Sequence, residues 1–267
     1  MNSTRPLLAF LALAFAAHAQ EVGPAKGALV VIGGGGKSGA IIERFVALAG
    51  GRDGFILVVP TADEKDPADT ERCPGVAMLR NAGAGEVAML HTRDRAVADS
   101  EEFTAPLRRA TGVWLGGGRQ WRFADAYLGT RTQRELFGVL ARGGAIGGSS
   151  AGATIQGSFL VRGSPLGNQI MVAPDHLEGF GFLRNCAIDQ HVNTRGRERD
   201  LVPVIAGRPH LLGIGLDEDT AIVVRGDVAE VIGAGIARFH DSKHEHWQEL
   251  RAGQSFDLRR RAILASP

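Results

Sequence analysis

Residues 27–48 read GALVVIGGGGKSGAIIERFVAL, and this stretch decides the fold class. Residues 28–32 are apolar and largely β-branched, the composition of a strand buried on both faces. Four glycines follow. Residues 38–49 then place Ile41, Ile42, Phe45, Val46 and Leu48 on one side of a helix. The texture recurs along the chain. A second buried strand at 55–59 leads through the turn 60–63 to a helix-spaced segment at 66–81. A third strand is expected at 86–90, a helix at 101–109, and a strand at 113–115 that ends in Gly116-Gly117-Gly118. Thr130 and Gln133 have capping-box spacing, opening a helix to about Arg142 with Gly143 as its C-cap. Residues 145–148 form the next strand. Repeated strand–turn–helix units imply right-handed crossovers and a mostly parallel sheet between helix layers, an α/β fold. Beyond about residue 205, short strands at 211–216, 221–224, 229–232 and 236–239 suggest an antiparallel extension of the same sheet. No linker or repeat interrupts residues 20–267, so one domain is expected.

Composition narrows the function. The chain has 267 residues, 44% of them apolar and 22% charged, as in soluble globular proteins. Its 30 Lys+Arg balance 29 Asp+Glu, which removes the basic footprint of a nucleic-acid binder. Arg5 followed by the apolar run 7–17 and by Ala17-His18-Ala19 reads as a signal peptide over 1–19. The mature chain is then expected to start at Gln20 and to be periplasmic or secreted. The run is too short to span a membrane, and no other stretch reaches ~18 apolar residues. Cys73 and Cys186 are either a bridge, which an oxidising compartment permits, or two buried thiols. Neither has metal-ligand spacing to another cysteine.

In an open α/β sheet, ligands sit beyond the carboxyl ends of the strands. Three glycine-rich turns fall there: 33–36, 116–118 and 147–152. The first, continued to Gly39, satisfies a dinucleotide fingerprint and keeps open a nucleotide-binding module. As a phosphate loop it fails, because Val31 stands where the first glycine belongs. The bland reading is a tight strand-to-helix turn. Gly148-Ser149-Ser150-Ala151-Gly152 fits a nucleophile elbow, a sharp turn that lifts the Ser150 hydroxyl from the sheet. The Ala151 amide would then favour a developing oxyanion.

A serine nucleophile needs a base and an orienting acid. Among the histidines, His191 closes Asp189-Gln190-His191 at the end of an apolar segment, and Arg195-Gly196-Arg197 follows. Arginines beside a base suit a substrate that bears carboxylates. His240, His244 and His246 lie in a charged stretch and read as solvated; His176 is a weaker candidate base. The acid falls in 213–219, where strand alternation sends Asp217 and Glu218 to opposite faces without choosing between them.

Taken together, G-S-S-A-G-A at 148–153, G-F-G-F-L at 179–183, I-D-Q-H at 188–191, R-G-R at 195–197 and G-I-G-L-D-E-D-T-A at 213–221 resemble the cyanophycinase and dipeptidase E family of serine peptidases. The resemblance covers about residues 27–260 and is closer to the cyanophycinase branch. It implies a three-layer α/β/α sandwich like the class I glutamine amidotransferase domain. It also implies a triad of Ser150, His191 and Glu218, an oxyanion site at Gly118 and Ala151, and substrate contacts from Gln120, Asp189, Gln190, Arg195 and Arg197. The implied substrate is multi-L-arginyl-poly-L-aspartate, cut to β-Asp-Arg dipeptides, with no metal or cofactor. A homodimer is the implied assembly. Two positions depart from the branch: Arg119 replaces a small acidic or amide residue, and Asp200 replaces the last arginine of R-G-R-x-x-R. They favour, as the alternative, an isoaspartyl or acidic-dipeptide peptidase of the same fold.

Overall fold

A computed structural model describes residues 21–35 and 39–265. The expected signal peptide, and Gly36, Lys37 and Ser38 of the first glycine turn, lie outside the described residues. The strands are β1 (Ala28–Ile32), β2 (Phe55–Val59), β3 (Glu86–Met89), β4 (Gly112–Leu115), β5 (Ala145–Ser149), β6 (Gly157–Phe159), β7 (Leu183–Asp189), β8 (Leu212–Leu216), β9 (Thr220–Arg225), β10 (Val228–Gly233), β11 (Ala237–His240), β12 (Gln248–Leu250), β13 (Ser255–Asp257) and β14 (Ala262–Leu264). Among the described residues, nine form one sheet in the order β14-β13-β10-β9-β1-β5-β4-β2-β3. Its β1-β5-β4-β2-β3 half is parallel, and β9, β10, β13 and β14 extend it antiparallel.

The apolar runs are continuous because the parallel half is covered on both faces. Val30, Ile32, Ile56, Val58 and Trp114 share one core with Ile41, Phe45, Val76 and Leu79 of helices Gly39–Leu48 and Pro74–Asn81. Leu29, Val31, Leu57, Val59 and Leu115 face the opposite core. There they meet Phe123, Tyr127, Leu136 and Val139 of helices Gln120–Tyr127 and Arg131–Ala141. No helix among the described residues is long and apolar enough to cross a membrane.

The expected antiparallel extension holds only in part. β8, β11 and β12 leave the main sheet and join β6 and β7 in a second sheet, ordered β12-β11-β8-β7-β6. The cause is written in β8, LGIGL. Leu212, Ile214 and Leu216 turn into the large core, while bare Gly213 and Gly215 let Ile205 and Val192 pack against the other face. Sequence spacing is also overridden at 66–81, where the helix begins only at Pro74. Proline suits a first helical position, and Asp69 instead bonds the Arg72 amide to hold a turn. Over 101–109, a helical turn at Glu101–Thr104 passes into a 3-10 turn at Ala105–Arg108 containing Pro106. The capping box at Thr130 does not close. Its hydroxyl donates to Tyr127 O, and Gln133 accepts from the Gly129 amide one residue early. Cys73 and Cys186 are both buried and unbridged.

Phe45 is fully buried between the sheet and its helix. Phe45→Ala should cost about 3–5 kcal/mol in urea unfolding, whereas Ile263→Ala, at 45% exposure, should stay within about 0.5 kcal/mol.

Candidate active site

Five strands send their carboxyl ends to one place. β1 runs into Gly33-Gly34, β4 into Gly116-Gly117-Gly118, β5 into Ser150, β7 into His191 and β8 into Asp217-Glu218. The first three belong to the main sheet and the last two to the second, so the site lies where the sheets meet.

Ser150 stands between β5 and the helical turn Ala151–Thr154 with φ 56° and ψ −112°. An L-residue in such a region carries about 1–3 kcal/mol of strain. The surroundings hold it there. Its amide donates to Ile32 O at 3.1 Å, and its carbonyl accepts from Ala153 N and Thr154 N at 3.0 Å each. The flanking glycines are sterically required. A Cβ on Gly148 would strike the Gly152 backbone, and one on Gly152 the Leu115 backbone.

His191 follows β7 in the left-handed region, φ 56° and ψ 36°, and its amide donates to Gly33 O at 2.7 Å. Its ring lies against Gly34, whose missing Cβ leaves the space that the imidazole occupies; Gly34 has a φ of +122°. There Nε2 is 2.9 Å from Ser150 Oγ, and Nδ1 is 2.5 Å from Glu218 Oε1. In a neutral ring Nδ1–H donates to the carboxylate, leaving Nε2 to accept the serine proton. Glu218 is itself fixed: its amide donates to Asn193 Oδ1 at 2.9 Å, and Thr194 Oγ1 donates to its Oε1 at 3.1 Å. Asp217 points the other way, into a buried pair with Arg238 at 2.6 Å.

Burial pushes the His191 ring below its ordinary pKa. The Glu218 hydrogen bond opposes this, and the charges of Arg195 and Arg197 reinforce it. Glu218 is lowered chiefly by its hydrogen bond to His191. At neutral pH the ring is therefore neutral and the carboxylate ionised, the states a proton acceptor and its orienting partner need.

Around this row lie the other residues singled out from sequence. Gly118, at φ +130°, passes so close to the Ala62 carbonyl that a side chain would not fit; Gly117 packs beside Ser150. Ala151 is fully buried behind the serine. Gln120 is buried, and its Nε2 donates to Val161 O and Arg162 O, both at 2.9 Å. Arg119 Nη2 donates to Ser164 O at 2.5 Å. Asp189 is wholly buried: Oδ1 and Oδ2 take Arg162 Nε and Nη2 at 2.7 and 2.8 Å, and Oδ1 also accepts the Gln190 amide. Arg162 also reaches Asp200 at 2.5 Å. Hence Asp189 does not face the open site, and the arginine missing at position 200 is answered by a guanidinium from position 162. Arg197 is 3% exposed; Nη1 donates to Gln190 O at 3.0 Å, while buried Nε and Nη2 have no hydrogen-bond partner. Arg195 is exposed at the edge.

Gly34 as a ring seat, Arg162, Asn193 and Thr194 also belong to the site and are not among the residues singled out from sequence. Asn193 and Thr194 sit among polar residues after His191, a usable signal; Arg162 ends an apolar run with none. His240, read as solvated, is buried against Trp247 and pushed down to about 4 by burial and by Arg238. His176 pairs with Asp125 at 2.9 Å.

The model of peptidase family S51 matches residues 29–232. The chain belongs to peptidase family S51. It is a serine-type peptidase related to cyanophycinases. The cyanophycinase of Geminocystis herdmanii (strain PCC 6308) is 32% identical over 232 residues, covering 82% of each chain. That of Trichormus variabilis is 32% identical over 245 residues, 87% of this chain and 80% of the relative. In fold, the crystal structure of a peptidase from an acI-B1 Actinobacterium superposes with a TM-score of 0.66. It is 22% identical and covers 87% of this chain and 97% of its own.

Arg195 holds the His191 pKa down. Arg195→Gln should therefore raise it, moving the acidic limb of a kcat/KM–pH profile to higher pH. An unmoved or acid-shifted limb would contradict this electrostatic reading.

Proposed function

We propose that Ser150 is the nucleophile of this serine peptidase, His191 its base and Glu218 the acid that orients the ring. The observation that carries the reading is the single imidazole within hydrogen-bond reach of both the hydroxyl and the carboxylate. Ser150 Oγ attacks the amide carbonyl as its proton passes to His191 Nε2. Glu218 stabilises the imidazolium, and the amides of Gly118 and Ala151 stabilise the oxyanion. His191 then protonates the leaving amine, and water, activated by the same ring, frees the acyl group.

The substrate is an aspartyl polyamide or peptide. Arg197 supports this choice: a buried guanidinium with two unpaired donors is an unmet demand for a carboxylate. Asp189 is taken by Arg162, which leaves those donors to a ligand. By likeness to the cyanophycinases, the polymer is multi-L-arginyl-poly-L-aspartate and the product β-Asp-Arg. Asp200 favours a second reading, an isoaspartyl or acidic-dipeptide peptidase, because Arg162 lies buried and paired instead of offering a further open cation. The apolar run before Gln20 directs export, with cleavage after Ala19.

The test incubates the mature protein with cyanophycin and with α- and β-aspartyl dipeptides, reading product masses. Release of β-Asp-Arg from the polymer supports the first reading, and cleavage of dipeptides alone the second. Ser150→Ala should keep the fold and lose on the order of 10⁴-fold or more in kcat. Arg197→Ala should lower kcat/KM for carboxylate-bearing substrates about 10- to 100-fold. Full activity in Ser150→Ala would overturn the assignment.

A further inference from the structure

A cavity of about 410 Å³ opens beside Ser150 on the face of the main sheet covered by helix Pro74–Asn81. Gly35, Gly117 and Ser149 line it. These are the residues that flank the serine: Gly117 packs beside Ser150, and Gly35 against Glu218. It is also lined by Val58, Cys73, Met78 and Trp114, and by the exposed Asp63. Val58, Cys73 and Trp114 are nearly wholly buried core residues, and Met78 packs against them, so the walls are apolar and set by the core. None of the arginines of the cluster lines this cavity. Asp189 ends β7 and Arg197 follows it, in the second sheet, which packs on the opposite face of the main sheet.

A peptide bond held at Ser150 therefore has two different neighbours. The carboxylate of the acyl aspartate goes to Arg197, as proposed above. The amino acid that departs then lies toward Val58, Met78 and Trp114. We propose that this cavity is the subsite of the leaving amino acid and takes a side chain with a long aliphatic stem. The proposal rests on the triad and on the isoaspartyl-dipeptide reading above, in which β-Asp-X is the substrate and X departs, and it names the class of X.

Magnitudes rank the contributions. Each methylene moved from water into apolar walls raises kcat/KM about fourfold, so a four-carbon stem gains on the order of 100-fold over glycine. An exposed carboxylate such as Asp63 adds only about two- to fivefold for a cationic tip. The stem outweighs the head: norleucine should fall within about fivefold of lysine and arginine, while glycine and aspartate fall far below all three.

The experiment measures kcat/KM for a β-Asp-X series, with X as Gly, Asp, Leu, norleucine, Lys, Arg and Phe. It compares the unchanged chain with Met78→Trp, which fills the cavity, and Met78→Ala, which widens it. The norleucine-to-glycine ratio should be on the order of 100, collapse toward one in Met78→Trp, and shift toward Phe in Met78→Ala. A flat series in the unchanged chain, or ratios that neither variant moves, would overturn the subsite and leave the triad standing. A strong arginine preference over norleucine, abolished by Asp63→Asn, would overturn the apolar-stem rule. Failure to cleave both cyanophycin and every β-Asp-X would overturn the catalytic reading, whereas cleavage of cyanophycin with no β-Asp-X cleaved would overturn the subsite and leave the triad standing.

Discussion

The site depends on one seat. His191 occupies the space that a side chain on Gly34 would fill, and its amide is tied to Gly33 O at 2.7 Å. That bond joins the end of β7 in one sheet to the end of β1 in the other. Without it, the serine on β5 and the acid after β8 would belong to separate surfaces. The arrangement carries backbone strain. Ser150, His191 and Asp219 all have positive φ without being glycine, and such residues cost about 1–3 kcal/mol each. The opposing force is the core, in which the residues of β1 and the central part of β5 are essentially excluded from water.

Electrostatics then divides the labour among buried charges. Arg162 sits in a double hydrogen bond with Asp189 and a further one with Asp200, so its charge is compensated where solvent cannot help. Because Asp189 is engaged there, it lies 3.8 Å from Arg197, too far to bond it. Arg197 keeps two unpaired nitrogens, and burial and the charge of Arg162 both push its pKa down. Such a guanidinium gains more from an incoming anion than an exposed one does. Burial, reinforced by the charges of Arg195 and Arg197, lowers the His191 pKa and leaves the ring ready to accept a proton.

Much of this was legible in the sequence. The strands at 28–32 and 55–59 announce themselves because both of their faces are buried, which makes the apolar run unbroken. Ser150 and His191 were readable because sharp turns and polar clusters at strand ends are local patterns. The choice of Glu218 over Asp217 was not: it turns on Arg238, twenty-one residues beyond Asp217, drawing Asp217 to the far side. The second sheet was hidden for a like reason, since the glycines of β8 show only which face is bare, and not that Ile205 and Val192 cover it. Gly34 could be read as a turn former but not as the seat of a ring 157 positions later. Arg162 had no local mark, because its carboxylate partners are distant in the chain: Asp189 at the end of β7, and Asp200 just before the helix Leu201–Ala206.

The measurement that bears most directly on the central claim is the activity of Gly34→Ala alongside its thermal midpoint. The seat predicts a cooperatively folded chain whose kcat falls on the order of 100-fold or more, because a displaced imidazole no longer reaches Ser150. A folded Gly34→Ala with undiminished turnover would contradict it, since the ring would then work without the space that only glycine leaves.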